Sequence, residues 1–224
     1  MITHLDVPAQ LHRNSADISA AGHEHTGQVL IDLATHSAGL ESLADVDVLD
    51  VGCGVRFTQA LINRNIPIKS YTGLEVYKPI VDFLQERVQA YDERFRYVFW
   101  NARNQLYNPD GVELARQAAL PFGDKFDLIW LFSVFTHLDP SDSRALLVLL
   151  RKHVRTTGKL FFSAFIDDQL DGFEDRVEDQ PLLMAYYGRD YMQSLVQEAG
   201  WRVEEFRNQD LSKFIQHYLV CSPI

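Results

Sequence analysis

Short runs of β-branched and aromatic residues alternate along the chain with longer stretches whose apolar residues recur at helical spacing. That alternation predicts an α/β protein, a mostly parallel sheet whose strands are joined by crossover helices. Val46, Val48, Leu49 and Val51 form a compact apolar run ending at Gly52, the pattern of a buried strand. A helix over residues 57–64 stops before Pro67, and residues 71–76 form a second strand. Next, Tyr77, Ile80, Val81, Leu84, Val88 and Tyr91 fall on one face of an amphipathic helix. Residues 95–100 and 126–132 are the third and fourth strands.

The following helix carries its own punctuation. Asp139 can cap it, Pro140 suits its first position and Asp142 its first turn. Leu146, Leu149, Leu150 and Val154 line its inner face, and Gly158 is expected to end it. Residues 159–166 read as a fifth strand and 191–199 as a helix closed by Gly200. Strands over 201–206 and 214–221 then follow each other with no helix between them, so they form an antiparallel pair.

Two segments lie outside the alternation. Residues 1–40 form an N-terminal extension or cap with a helix over 26–36, ended by Gly39, leaving residues 41–224 as the main domain. Residues 167–189 are an acidic insertion after the fifth strand, on the side where open α/β sheets bind ligands. Its carboxylates read either as a solvated loop or as a cover over a site. Its aromatic residues Phe173, Tyr186 and Tyr187 either wall a pocket or anchor the loop to the core.

With 224 residues, the chain is expected to be one large domain or a core with embellishments. Its 46% apolar and 23% charged residues are those of a globular protein. Lys and Arg number 21 against 31 Asp and Glu, a net charge of −10 that disfavours nucleic acid and anionic membranes as partners. Two cysteines, Cys53 and Cys221, cannot build a disulfide framework. The first residues have neither a basic region nor an apolar core, so no signal peptide is expected and a cytoplasmic location follows. The longest nearly apolar run, 128–135, is too short for a membrane span. His23-Glu24-His25 has no matched third ligand in the sequence, so no metal is expected.

Chemistry concentrates in Val48-Leu49-Asp50-Val51-Gly52-Cys53-Gly54-Val55-Arg56-Phe57-Thr58. A strand ending in closely spaced glycines before a helix lets the backbone approach a ligand and offers amides to it. Phe57 stands where a dinucleotide fingerprint needs glycine. Asp50 favours a ligand bearing a positive group over a pyrophosphate. Glu75 ends the second strand, where a carboxylate can hold both hydroxyls of a ribose. Phe99-Trp100-Asn101-Ala102 ends the third, where an amide can read an adenine edge.

With these three signals at successive strand ends, the sequence resembles the class I S-adenosylmethionine-dependent methyltransferases over residues 45–221. The resemblance implies a seven-stranded Rossmann-like sheet of order 3-2-1-4-5-7-6, its last strand antiparallel, with helices on both faces. It implies S-adenosylmethionine as cofactor and S-adenosylhomocysteine as product. Asp50, Gly52 and Gly54 would border the methionine part, with the small Cys53 in the same loop. Glu75 would hold the ribose, Val76, Asn101 and Ala102 would surround the adenine, and Phe132 and Ser133 would flank the cofactor. Many members carry glycine where Arg56 stands and aspartate where Asn101 stands. Arg56 either pairs with the cofactor carboxylate or faces solvent.

The expected activity is methyl transfer to an oxygen or nitrogen of a small-molecule acceptor. His137, after the fourth strand, is the candidate base, with a structural histidine bonded to a backbone carbonyl as the alternative. His217 reads as a packed polar residue. Three other readings stand beside this one. A non-catalytic cofactor-binding or partner subunit would keep the glycine loop. A protein or peptide methyltransferase would use the same cofactor. A nicotinamide-dependent oxidoreductase would share the sheet, against Phe57 and Asp50.

Overall fold

The computed structural model describes residues 2–12, 21–207 and 216–224. The chain divides into two compact units, Met1–Phe99 and Trp100–Ile224.

The first unit runs α1 (His23–Ser37), β1 (Leu43–Val51), α2 (Arg56–Asn63), β2 (Ile68–Glu75), α3 (Lys78–Leu84) and β3 (Phe95–Phe99). Its strands are parallel in the order β3-β2-β1, with Val51 beside Leu74 and Glu75 beside Phe99, so their carboxyl ends lie nearly level. Val48, Leu49, Asp50 and Val51 are all buried, as in a strand covered on both faces. Leu5 is clasped by Asn63 of α2, whose side chain accepts from the Leu5 amide at 2.7 Å and donates to its carbonyl at 3.2 Å. The same Asn63 amide donates to Glu24 of α1 at 2.8 Å.

The amphipathic helix expected to carry on to Tyr91 ends sooner. After Leu84 the backbone widens into a π-helical turn over Gln85–Gln89, and Tyr91 is 68% exposed. The edge strand accounts for the change. Gln85 donates to the Tyr97 carbonyl at 2.8 Å and Gln89 accepts from the Tyr97 amide at 2.6 Å. These side chains occupy backbone groups of β3 that would otherwise lie open at a sheet edge.

The second unit runs β4 (Phe126–Leu131), α4 (Pro140–Arg151), β5 (Val154–Ile166), β6 (Phe173–Asp175), β7 (Ala185–Tyr187), α5 (Arg189–Glu198), β8 (Trp201–Arg207) and β9 (His217–Pro223). β4 and β5 are parallel, β9 runs antiparallel to β5, and β8 antiparallel to β9. The expected antiparallel closing pair is therefore present. The beginning of its last strand, residues 214–215, lies outside the described residues. Asp139 caps α4, accepting from the Asp142 amide at 2.9 Å, with Pro140 in the first turn. Trp130, Phe135, Phe161, Phe162 and Trp201 fill the core, and the Trp201 indole donates to the Leu147 carbonyl at 3.0 Å.

Gly158 does not end α4. The helix stops at Arg151, and β-branched Val154, Thr156 and Thr157 already belong to β5. Pairing passes from Phe126–Val154 to Leu128–Lys159, an irregularity that carries extra residues on β5. A Cβ at Gly158 would lie 2.9 Å from the carbonyl oxygens of both Phe126 and Asp127, so this close approach needs glycine.

The α/β architecture with a mostly parallel sheet is as expected, with nine strands among the described residues where seven were expected. The additional pair comes from the acidic insertion. β7 runs parallel to the end of β5 at Phe165 and Ile166, and β6 pairs with β7. Tyr187 is fully buried, donates to the Leu138 carbonyl at 2.5 Å and lies 2.8 Å from the Ser143 hydroxyl. Tyr186 stacks on Phe165. These aromatic residues anchor the segment. Among the described residues no helix is long and apolar enough to cross a membrane.

Candidate functional site

In the first unit, the turn after β1 is shaped by Gly52 and Gly54, at φ 71° and 51°. That left-handed conformation strains most other residues. The Gly52 amide donates to the Leu74 carbonyl at 2.7 Å, tying the turn to β2. A Cβ placed on Gly54 would meet nothing within 4 Å among the described residues. The Gly54 amide donates to Glu75 Oε2 at 2.9 Å, while Glu75 Oε1 accepts from Val76 and Tyr77, each at 2.9 Å. Glu75 is only 2% exposed. A carboxylate has about four acceptor positions, and these amides aim it across the ends of β1 and β2.

Asp50 lies under the turn. It is buried, and the Tyr71 hydroxyl donates to its Oδ2 at 2.5 Å. Burial, followed by the Asp50 charge, raises the Tyr71 pKa well above its ordinary value, so Tyr71 remains a donor. Tyr97 of β3 pairs with the Thr58 hydroxyl of α2 at 2.9 Å. Sequence reading missed both tyrosines, although Tyr71 stands between the small Ser70 and Thr72 on β2, and Phe95, Tyr97 and Phe99 recur at the strand period of two on β3.

Arg56 opens α2 with its Nη1 buried and, among the described residues, without a hydrogen-bond partner. Burial lowers its pKa to about 10, with nearby Asp50 opposing. The His12 and His23 rings stack at 3.7 Å between centroids. Burial lowers both of their pKa values, His12 being further lowered by His23 and His23 by Arg56. Cys53 is buried within the turn and Val76 is half-buried after β2. Among the described residues no three His, Cys, Asp or Glu side chains are grouped to hold a metal.

The second unit contains the remaining candidates. Asn101 is exposed, its Oδ1 accepting from Asn108 at 3.1 Å, and Ala102 is buried beside Val112. Phe132, after β4, is nearly buried against Trp130 and Phe161. Ser133 is exposed and takes a left-handed φ of 57°, uncommon for a residue with a side chain. His137 closes a 3-10 turn, Phe135–His137. Its Nδ1 lies 3.0 Å from the Leu182 carbonyl, and Tyr107 meets its ring edge-on. Asp175 Oδ2 accepts from the Leu182 amide at 2.6 Å, so the acidic insertion supports this contact. His217 is 8% exposed, consistent with a packed residue.

Sequence reading also missed the group beneath Ser133. Its amide donates to Ser163 Oγ at 2.9 Å, Ser163 donates to Gln216 Oε1 at 2.6 Å, and Gln216 Nε2 donates to Ser133 Oγ at 2.8 Å.

A family model described as a methyltransferase domain matches residues 10–206. The fold is shared with the glycopeptide N-methyltransferase MtfA, at a TM-score of 0.63 and 14% identity over 89% of this chain and 90% of that one. It is also shared with magnesium protoporphyrin IX methyltransferase (ChlM) from Synechocystis PCC 6803 with bound SAM. That match has a TM-score of 0.57 and 14% identity over 95% of this chain and 86% of the other. The chain belongs to the methyltransferase-domain family, in keeping with its resemblance to the class I S-adenosylmethionine-dependent methyltransferases.

Proposed function

We propose that this methyltransferase moves the methyl group of S-adenosylmethionine to an oxygen or nitrogen of a small-molecule acceptor. The observation that carries the reading is the glycine turn after β1, whose Gly54 amide is bonded to Glu75 at the end of β2. Two further features suit the cofactor. Among the described residues, nothing fills the space beside Gly54, and Arg56 keeps a buried guanidinium nitrogen without a hydrogen-bond partner, as a carboxylate-binding group would. When bound, the sulfonium supplies an already activated methyl electrophile.

The chain's own task is then to bind, orient and manage a proton. Glu75 would accept the ribose hydroxyls. Gly52, Cys53 and Gly54 would border the methionine part over Asp50, and Arg56 would take its carboxylate. Val76, Asn101 and Ala102 would surround the adenine, and Phe132 and Ser133 would flank the cofactor. His137 would accept the acceptor's proton. Its Nδ1 faces a carbonyl, which only accepts, so Nδ1 carries the hydrogen and Nε2 is the basic nitrogen of the neutral ring. The N-terminal extension would form the wall beside Arg56, and the 167–189 segment would hold the base in place.

Titration calorimetry with S-adenosylhomocysteine tests the binding half, and mass spectrometry of a metabolite extract incubated with labelled S-adenosylmethionine tests the transfer. Heat of binding and one labelled small molecule are expected. Absence of binding overturns the reading, and binding without any labelled product assigns a non-catalytic cofactor-binding subunit instead.

A further inference from the structure

We infer that Ser133 presents its hydroxyl proton to a hydrogen-bond-accepting oxygen of the acceptor molecule, and that Gln216 is the positioning residue that turns this proton outward. The inference rests on the methyltransferase reading and deepens it by choosing oxygen-bearing acceptors over amines.

The argument begins at the Ser133 backbone amide, which can only donate. It donates to Ser163 Oγ, so that oxygen is already an acceptor. Ser163 is completely buried, and its own hydroxyl proton must find a partner inside the protein. Gln216 Oε1, 2.6 Å away, is that partner. The amide of Gln216 is thereby oriented, with its Nε2 donating to Ser133 Oγ at 2.8 Å. The opposite amide orientation would strand the buried Ser163 proton, which carries a cost that the exposed Ser133 proton does not.

These three hydrogen bonds therefore run in one direction, and they leave the Ser133 hydroxyl proton on the exposed residue of the group. Ser133 is exposed and sits just beyond the end of β4, the side on which open α/β sheets bind ligands. Its φ of 57° costs conformational energy that the three hydrogen bonds maintain. His137 follows in the same connection between β4 and α4. One residue there offers a proton and the other can accept one, a pairing suited to a hydroxyl or carboxylic acid. A protonated amine has no lone pair for Ser133.

The test uses the full chain saturated with S-adenosylhomocysteine and two neutral probes, acetophenone, which only accepts, and ethylbenzene, which lacks the oxygen. Affinities are read by ligand-observed NMR. The wild type should prefer acetophenone by about threefold to tenfold, the range of one net hydrogen bond. Ser133→Gly removes the hydroxyl while easing the left-handed backbone, and it should abolish the preference. Gln216→Glu should abolish it too, because a carboxylate only accepts and would draw the Ser133 proton inward. No preference in the wild type, or a preference that survives in either variant, overturns the inference. Failure of S-adenosylhomocysteine to bind would instead count against the cofactor reading, so the two failures are distinguishable.

Discussion

The His137 ring is tied to the Leu182 carbonyl at 3.0 Å, joining residues 45 positions apart at the connection between β4 and α4. This contact combines the two sequence-based readings of His137, for a histidine bonded to a backbone carbonyl is also held in one tautomer. His137→Ala should lower turnover of the labelled acceptor by about 10²–10⁴-fold, the usual contribution of a general base. S-adenosylhomocysteine affinity, measured by calorimetry, should be retained. Loss of both together would make the residue structural.

Glu75 joins the glycine turn to the end of β2. Glu75→Ala should weaken S-adenosylhomocysteine binding by about 1–3 kcal/mol, the scale of losing charged hydrogen bonds. Calorimetry at constant ionic strength checks this. Unchanged affinity would remove Glu75 from the site.

Tyr71 supplies a short hydrogen bond to the buried Asp50 carboxylate. Tyr71→Phe keeps the ring and takes away that donor. The expected cost is about 1–3 kcal/mol, read in urea as a lower midpoint with an unchanged slope.

Asp142 gives a pH signature. Burial, then the charges of Asp139 and Glu113, push its pKa up to about 6 against the opposing Arg103, from an ordinary value of 3.8. Between those values the folded chain retains a proton that the unfolded chain has released. Stability from this group therefore falls as pH rises through that window. Asp142→Asn should raise the melting temperature above pH 6, and the gain should shrink towards pH 4. A gain independent of pH would contradict the assignment.

What could be read from the sequence follows the range of the interactions. The start of α4 was legible because Asp139, Pro140 and Asp142 act within one turn of each other. The end of the same helix was not, because glycine serves both a helix terminus and the close strand contact that Gly158 makes with Phe126 and Asp127. The π-helical turn was hidden because Gln85 and Gln89 answer the backbone of Tyr97. The glycine turn and Glu75 stood out as local features of two strand ends. Their setting did not, since Tyr71 beneath Asp50, Leu182 beside His137 and Gln216, 83 residues from Ser133, meet only through the folded backbone.

The clasp between Asn63 and Leu5 bears on how the protein can be handled. Leu5 is 3% exposed, and its backbone amide and carbonyl are both held by Asn63 of α2, with Gln59 of the same helix also donating to the carbonyl. A trimmed version beginning at residue 21 would strip that amide of two bonds and uncover an oily slot, inviting the shortened molecules to stick to one another. Tags and cleavage sites belong ahead of the intact leading segment, never in place of it.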